Sequence, residues 1–362
     1  MVTMKTRVYP IERLPSDLLQ AWSALQIASA DCDSPYFRPE FHQLAAEVGR
    51  PVKVGVMEEA GRPVGFFPFE TGAFGTALPV GLRLSDFHGA LITPGVEWSA
   101  AGLLRGCGVR RFHFDHLPTN QTAWLGTHYV TARSPIVDLS GGFEGYLESL
   151  RVRGEKEFQR TLKKRDKLER ELGEVRFCLH EPTTEAIDAC LAWKAAQYER
   201  TGALNVFKSP WAVELIRRIA ASDQPHFKGS VSTLRVRDEL VAVHVGMRTD
   251  SVLHHWFPAH NADHACNKHS PGLQLLAAMI EDFAGSGICR IDFGKGDFSY
   301  KRSFGTGATE VAEGVCGDTA LGTTIHRSLR QTRSWLRKTA ESAGLTTPVR
   351  WYRQMRDWLV MQ

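Results

Sequence analysis

Alternation of apolar and polar positions is clearest between residues 229 and 257, where three runs of two-residue period are separated by the turns Arg237-Asp238 and Thr249-Asp250. Successive strand side chains point to opposite faces, so the runs 229–236, 239–248 and 251–257 predict an antiparallel meander. Helical spacing surrounds it. Ile187, Cys190, Leu191, Trp193, Ala196 and Tyr198 predict a helix over 184–201, and residues 210–221 predict another. Ser270-Pro271-Gly272 opens a third through Leu273, Leu276, Met279, Ile280 and Phe283, stopped by Ser286-Gly287. A short apolar run, Gly287 to Ile291, then reads as a buried strand.

The first half carries a weaker version of the same order. Helical patterns over 13–30 and from Asp33-Ser34-Pro35 through Ala45 precede strands at 52–57 and 63–69. After an irregular segment come a helix within 94–104, a strand at 111–115 and a β-rich run at 131–139. Repetition of one order of elements suggests an internal duplication, with units 1–140 and 141–318 and a basic helical tail at 319–362. Between the units, residues 143–172 predict one long surface helix that holds nine Lys or Arg against four acids over 151–170. The fold expected is α/β (α+β), two tandem units each built on a mostly antiparallel sheet flanked by helices.

The chain of 362 residues is long enough for a sizeable core in each unit. Its charged fraction of 23% and apolar fraction of 43% are ordinary for a globular protein, and a net charge of +4 names no partner. No apolar run reaches the 18 residues that would span a bilayer. The N-terminus lacks the apolar core of a signal peptide. Seven cysteines lie scattered singly with no C-x-x-C pair, as expected of reduced thiols in a cytoplasmic protein.

Candidate chemistry gathers after the short strand, in Asp292-Phe293-Gly294-Lys295-Gly296-Asp297-Phe298-Ser299-Tyr300-Lys301. Acids, bases and a tyrosine spaced by glycines at the end of a buried strand suggest a site; a glycine-rich turn with local ion pairs is the plainer alternative. On the strand 239–248, Val241, Val243, Val245 and Met247 share one face, while Leu240, Ala242, His244, Gly246 and Arg248 share the other, small and basic as a substrate floor would be. His244 is a candidate general base, with a core histidine as the alternative. Asp297 is the rival base. Lys301 is placed to stabilise an oxyanion, and Tyr300 to protonate a leaving thiolate unless it is a packed aromatic. Lys194 and Tyr198, four apart on one helical face, are candidate substrate contacts, with Arg248, Trp256, Asp292 and Lys295. His260, His264, Cys266 and His269 match no zinc spacing, so no metal is expected. No Walker loop, dinucleotide fingerprint or nucleophile elbow occurs.

The motifs Trp193-Lys194-x-x-Gln197-Tyr198-x-x-Thr201-Gly202, Ala242-Val243-His244-Val245-Gly246-Met247-Arg248, Ser270-Pro271-Gly272 and Asp292-Phe293-Gly294-Lys295-Gly296-Asp297-x-x-Tyr300-Lys301 together resemble the CelD-like acetyltransferases of the GNAT superfamily. The resemblance covers most of residues 30–310 and is strongest over 190–305. That family is in turn similar to the Fem-type peptidoglycan aminoacyltransferases, whose Lys-x-x-Phe-Gly is matched by Lys301-Arg302-Ser303-Phe304-Gly305. The resemblance implies transfer of an acyl group, with acetyl-CoA as co-substrate and a small-molecule or glycan-precursor acceptor from exopolysaccharide or cell-envelope synthesis. It leaves two alternatives: aminoacyl transfer from tRNA, and a non-catalytic partner in polysaccharide synthesis. The usual GNAT phosphate loop is missing, since Asn267-Lys268-His269-Ser270-Pro271-Gly272 has no Gly-x-Gly step. A helix N-terminus can still hold a pyrophosphate there, so Ser270, Pro271 and Gly272 are the candidate cofactor contacts. The basic tail is a candidate for peripheral membrane association.

Overall fold

In the computed structural model, residues 4–296 and 298–317 are described, with backbone alone at 125–129. The first half contains strands Lys5–Pro10 (β1), Val52–Glu59 (β2), Arg62–Gly72 (β3), Thr76–Leu78 (β4), Leu91–Ile92 (β5), Arg111–Pro118 (β6) and His128–Asp138 (β7). Its helices are Ser16–Ala28 (α1), Pro39–Glu47 (α2) and Ala100–Gly106 (α3). The second half adds helices Gly142–Val152 (α4), Glu157–Leu172 (α5), Thr184–Thr201 (α6), Pro210–Ala220 (α7), Pro271–Phe283 (α8) and Ser299–Phe304 (α9). Its strands are Val175–Cys178 (β8), Asp223–Gln224 (β9), Phe227–Val236 (β10), Glu239–Arg248 (β11), Val252–His260 (β12), Arg290–Asp292 (β13) and Gly307–Gly317 (β14).

Local chemistry explains the main boundaries. Thr183 caps α6 through its hydroxyl, which accepts from the Ala186 N–H at 3.2 Å. Pro210 and Pro271 stand in the first turns of α7 and α8, where a missing N–H costs nothing. The predicted long helix over 143–172 is broken: its apolar positions continue, but Arg153 to Lys156 form a turn between α4 and α5. Besides the short strands β4, β5 and β9, three elements were not expected from the sequence. β1 is a mostly exposed edge strand, α9 stands where a loop was expected, and β14 follows it.

All strands join one 14-stranded sheet in the order β1-β2-β3-β4-β6-β14-β7-β13-β12-β11-β10-β8, with β5 on β3 and β9 on β10. The expected mixed, mostly antiparallel architecture is present. Two pairings are parallel, β4 with β6 and β12 with β13. Read outward from the centre, β6-β4-β3-β2-β1 mirrors β13-β12-β11-β10-β8. The last strand of each half crosses over: β7 pairs with β13 of the second half, and β14 pairs with β6 of the first. They meet each other from Gly307 opposite Ile136 to Gly314 opposite His128.

Packing follows this exchange. On one face a single core joins Trp22, Phe41 and Val54 of the first half to Leu215, Ile216 and Val243 of the second. The other face carries two cores. One is built on Phe67, Phe112 and Trp124 with Ala312 and Cys316 of β14, the other on Tyr146, Phe158, Leu276 and Phe304. Neither half owns all of the apolar surface that buries its sheet.

The halves should therefore unfold together. Phe304 is fully buried against Phe158, with ring centroids 6.0 Å apart. Phe304→Ala should cost about 3–5 kcal/mol and shift one common urea transition, seen alike by tryptophan fluorescence and far-UV circular dichroism. Two separated transitions, with only one of them moved, would contradict the shared core.

Candidate active site

The parallel pair β12 and β13 holds only three rungs: Val252 with Arg290, Leu253 with Ile291, and His254 with Asp292. Beyond His254, β12 runs on to His260 paired with β11 alone, while Phe293 turns away and donates its N–H to the Pro135 carbonyl of β7 at 3.0 Å. The two strands part, which leaves an unpaired edge of backbone on β12. A bulge sits at the same place. Val245 faces Phe257 and Met247 faces His254, so His255 and Trp256 together oppose Gly246. A Cβ on Gly246 would lie 2.3 Å from the His254 carbonyl oxygen, so no side chain fits there. Bulges bend a strand and re-aim its side chains.

Buried and half-buried donors hold both banks of this opening. On one bank, the Lys301 ammonium donates to the carbonyls of Phe293, Gly294 and Lys295 at 2.7, 2.9 and 3.3 Å. On the other, Lys194 donates to the Pro258 carbonyl at 3.1 Å and Cys190 to that of Phe257 at 3.2 Å. Burial lowers the Lys194 pKa and brings that of Lys301 down to about 8. Lys301 was expected on a loop with its charge free for an oxyanion. It lies instead on α9, 5% exposed, with all three N–H groups placed on carbonyls. Lys194 is neither a surface lysine nor an open anion contact in this arrangement.

The remaining candidates divide. Asp292 is fully buried and paired with Arg290 at 3.2 Å, and Arg290 also grips Asp33; burial raises the Asp292 pKa. Lys295 donates to the Asp115 carbonyl at 2.8 Å, which ties the motif to β6. Tyr300 is half-buried between the rings of Phe293 and Phe298, 5.8 and 6.2 Å away, and burial raises its pKa. Half-buried Trp256 meets Tyr36 edge-on at 6.2 Å, and the Tyr198 ring lies 5.7 Å from the Lys194 ammonium. Arg248 lies at the far end of β11, near His180, whose pKa is lowered by burial first and then by Arg248. Asp297 lies outside the described residues.

His244 does not stand on an open floor. Both faces of β11 are covered, and His244 is fully buried with its ring stacked on His255 at 4.5 Å and 8°. Neither of its ring nitrogens meets a protein hydrogen-bonding group. Burial takes its pKa down to about 3 and that of His255 well below the ordinary value, so both rings are neutral. A general base needs a pKa near the working pH, which His244 lacks in this state.

No local pattern announces a second cluster, because it is assembled across the halves. His254 Nε2 lies 3.0 Å from Asp86 Oδ2, and His116 Nε2 lies 3.5 Å from Asp86 Oδ1. His116 Nδ1 is 3.0 Å from Asp115 Oδ1. Tyr36 packs edge-on against His254 at 4.9 Å. Burial pushes the Asp86 carboxyl up, but the bond from His254 and the charges of His116, His254 and Lys301 outweigh it and hold it at about 2. Gly294 belongs to this contact: its φ of +71° favours glycine, and a Cβ would lie 2.6 Å from Asp86 Oδ2.

On the other side of the sheet, Ser270 takes a left-handed φ of +59° immediately before α8, and its hydroxyl accepts from Lys164 of α5 at 3.3 Å. The positive end of α8 and a lysine thus converge where Ser270, Pro271 and Gly272 were expected to meet a cofactor. His264 pairs with Glu239 and His269 with Glu171, each at 3.1 Å, so these histidines turn to separate carboxylates.

Residues 156–302 match the family model of an acetyltransferase (GNAT) domain. That segment runs from α5 into α9 and contains the parted strands, so the second half carries an acyltransferase domain of GNAT type. No curated protein matches the chain. Among solved structures, FemX aligns with a TM-score of 0.52 at 10% identity, over 82% of this chain and 94% of that one. The C-terminal domain (DUF2156) of a putative lysylphosphatidylglycerol synthetase from Agrobacterium fabrum aligns at 0.49 and 12%, over 86% and 95%. A tandem GNAT protein from the clavulanic acid biosynthesis pathway aligns at 0.47 and 12%, over 88% and 99%. The likeness to FemX is one of fold.

Two outcomes follow from the buried groups. Lys301→Met leaves three carbonyls without their donor, so it should lower stability by about 2 kcal/mol or more in urea titration; an unchanged midpoint would contradict the clamp. His244 has a depressed folded pKa, so between pH 6.5 and about 3 the unfolded chain binds more protons. Its contribution is therefore present above pH 6.5 and lost as pH falls towards 3. His244→Phe should lose less stability than wild type over that window; equal losses would show that His244 is not a source of the acid sensitivity.

Proposed function

We propose that the protein moves an acyl group from a thioester, acetyl-CoA in the first instance, to an amine or hydroxyl of a sugar or of a cell-envelope or exopolysaccharide precursor. The observation that supports this reading is the opening between β12 and β13, which falls inside the matched acyltransferase segment. An extended, amide-bearing donor arm would add to the free edge of β12 as a strand does. That would set the thioester carbonyl against the outward backbone of β12 near the bulge, where an N–H group suits an oxyanion, Pro258 having none to offer. The phosphates of the donor would meet the start of α8 and Lys164. This is CelD-like chemistry, and a cytoplasmic setting accords with it. None of the seven cysteines forms a disulfide, and no helix among the described residues is long and apolar enough to cross a membrane.

The second reading, aminoacyl transfer from tRNA, is favoured by α5. Its Arg160 and Lys167 are 67% and 61% exposed, although Glu157 and Glu171 pair with part of its charge. The basic tail from 319 lies outside the described residues.

Titration of the protein with acetyl-CoA and with charged tRNA separates the readings. Acetyl-CoA should bind at one site per chain, and any tRNA binding should be weak and fade with salt. Absence of acetyl-CoA binding, together with saturable binding of charged tRNA that weakens steeply with salt, would favour the second reading instead.

A further inference from the structure

The first half contains the counterpart of the β12–β13 opening, and the chain itself fills it. β4 runs parallel to β6 for two rungs, Thr76 with Arg111 and Ala77 with Phe112, and ends at Leu78. β6 continues to Pro118. Residues 79–90 occupy the gap. The His88 N–H donates to the His116 carbonyl at 3.4 Å, and His88 Nε2 accepts from the N–H groups of both Asp115 and His116 at 3.0 Å. Gln121 closes the end by accepting from the Ala90 N–H at 3.0 Å. The β6 N–H groups of Asp115 and His116 that line this gap are therefore already taken by the chain.

The filling segment carries Asp86 across to the second half. Its side chain is 23% exposed, against 0% for His254. Around it stand His254 of β12, His116 of β6, Lys301 of α9 and Gly294, which makes room by having no side chain. We propose that the first half has lost donor binding and that Asp86 is a catalytic residue of the second half's site, the carboxylate that receives the acceptor nucleophile, an amine. His254 and His116 are positioning residues that fix its two oxygens. The assignment rests on the acyl-transfer reading above.

In the step, the neutral amine nitrogen attacks the thioester carbonyl carbon. An N–C bond forms, the C–S bond breaks, and positive charge collects on nitrogen beside Asp86. The proton passes from nitrogen to the carboxylate and from the part-exposed Asp86 to solvent, and the thiolate takes a proton from water. A carboxylate held ionised stabilises the charge that grows on an amine; it is too weak a base to draw the proton from a hydroxyl.

The test uses the full chain with acetyl-CoA as donor, glucosamine and ethanolamine as amine probes and glucose as the hydroxyl probe. Calorimetry should give one acetyl-CoA per chain for wild type, Asp86→Asn and Asp86→Glu alike. Asp86→Asn should lower kcat for the amines by about 100-fold or more with an unchanged melting temperature, and Asp86→Glu, which keeps the charge, should recover part of it. Wild-type turnover in Asp86→Asn, acylation of glucose in preference to the amines, or acetyl-CoA binding with no probe acylated would overturn this assignment alone. Absence of acetyl-CoA binding by the wild-type protein would overturn the donor reading and this assignment with it. If Asp86→Asn melts early, His116→Gln provides the second arm: lowered kcat at unchanged acetyl-CoA affinity supports the assignment, and unchanged kcat overturns it.

Discussion

Three rungs of parallel pairing tie β12 to β13, and the site depends on where they stop. A sheet that continued past His254 and Asp292 would satisfy its own backbone and leave nothing for a ligand. A sheet that stopped earlier would not bring the motif loop to β12. The halt is maintained from both banks. Lys301 draws the carbonyls of 293–295 inward, while Lys194 and Cys190 hold those of 257 and 258. Each donor is removed from water at a cost that its carbonyl partners offset. The lysines of the motifs therefore shape the opening before they touch any substrate.

The second constraint is the exchange of β7 and β14. Each half lacks the strand that would complete its own sheet and receives one from the other. One face of the sheet is buried by a core drawn from both halves. This arrangement fixes the first half rigidly against the second half's opening, so residues 79–90 can both close one gap and reach into the other. On the proposal above, the first half serves as a wall of the second half's site.

The elements with strong local signals were legible. The Val-rich alternation of 239–248 and the apolar spacing of α6, α7 and α8 appear where expected, and so does the strand leading into the motif. β14 was not legible because Gly307-Ala308-Thr309-Glu310 and Gly314 dilute its alternation, and its partners lie about 200 positions away in sequence. Alternation also misled at His244. A period of two assigns residues to faces but does not say whether a face is open, and here helices cover both. The place of Lys301 was not legible for a related reason, since helix α9 and the carbonyls it serves are tertiary facts. Asp86 and His254 carry no local signal at all. Asp86 lies in an irregular stretch and His254 in an apolar strand, and only the crossing of the halves brings them together.

The central claim is that the parted edge of β12, and not its filled counterpart at β4 and β6, receives the donor. Hydrogen exchange with and without acetyl-CoA measures this at the backbone. Slower exchange at residues 255–260 and at the start of α8, with residues 76–90 and 111–116 unchanged, is the result expected. Protection confined to 76–90 and 111–116, or none at 255–260 under saturating acetyl-CoA, would contradict the account.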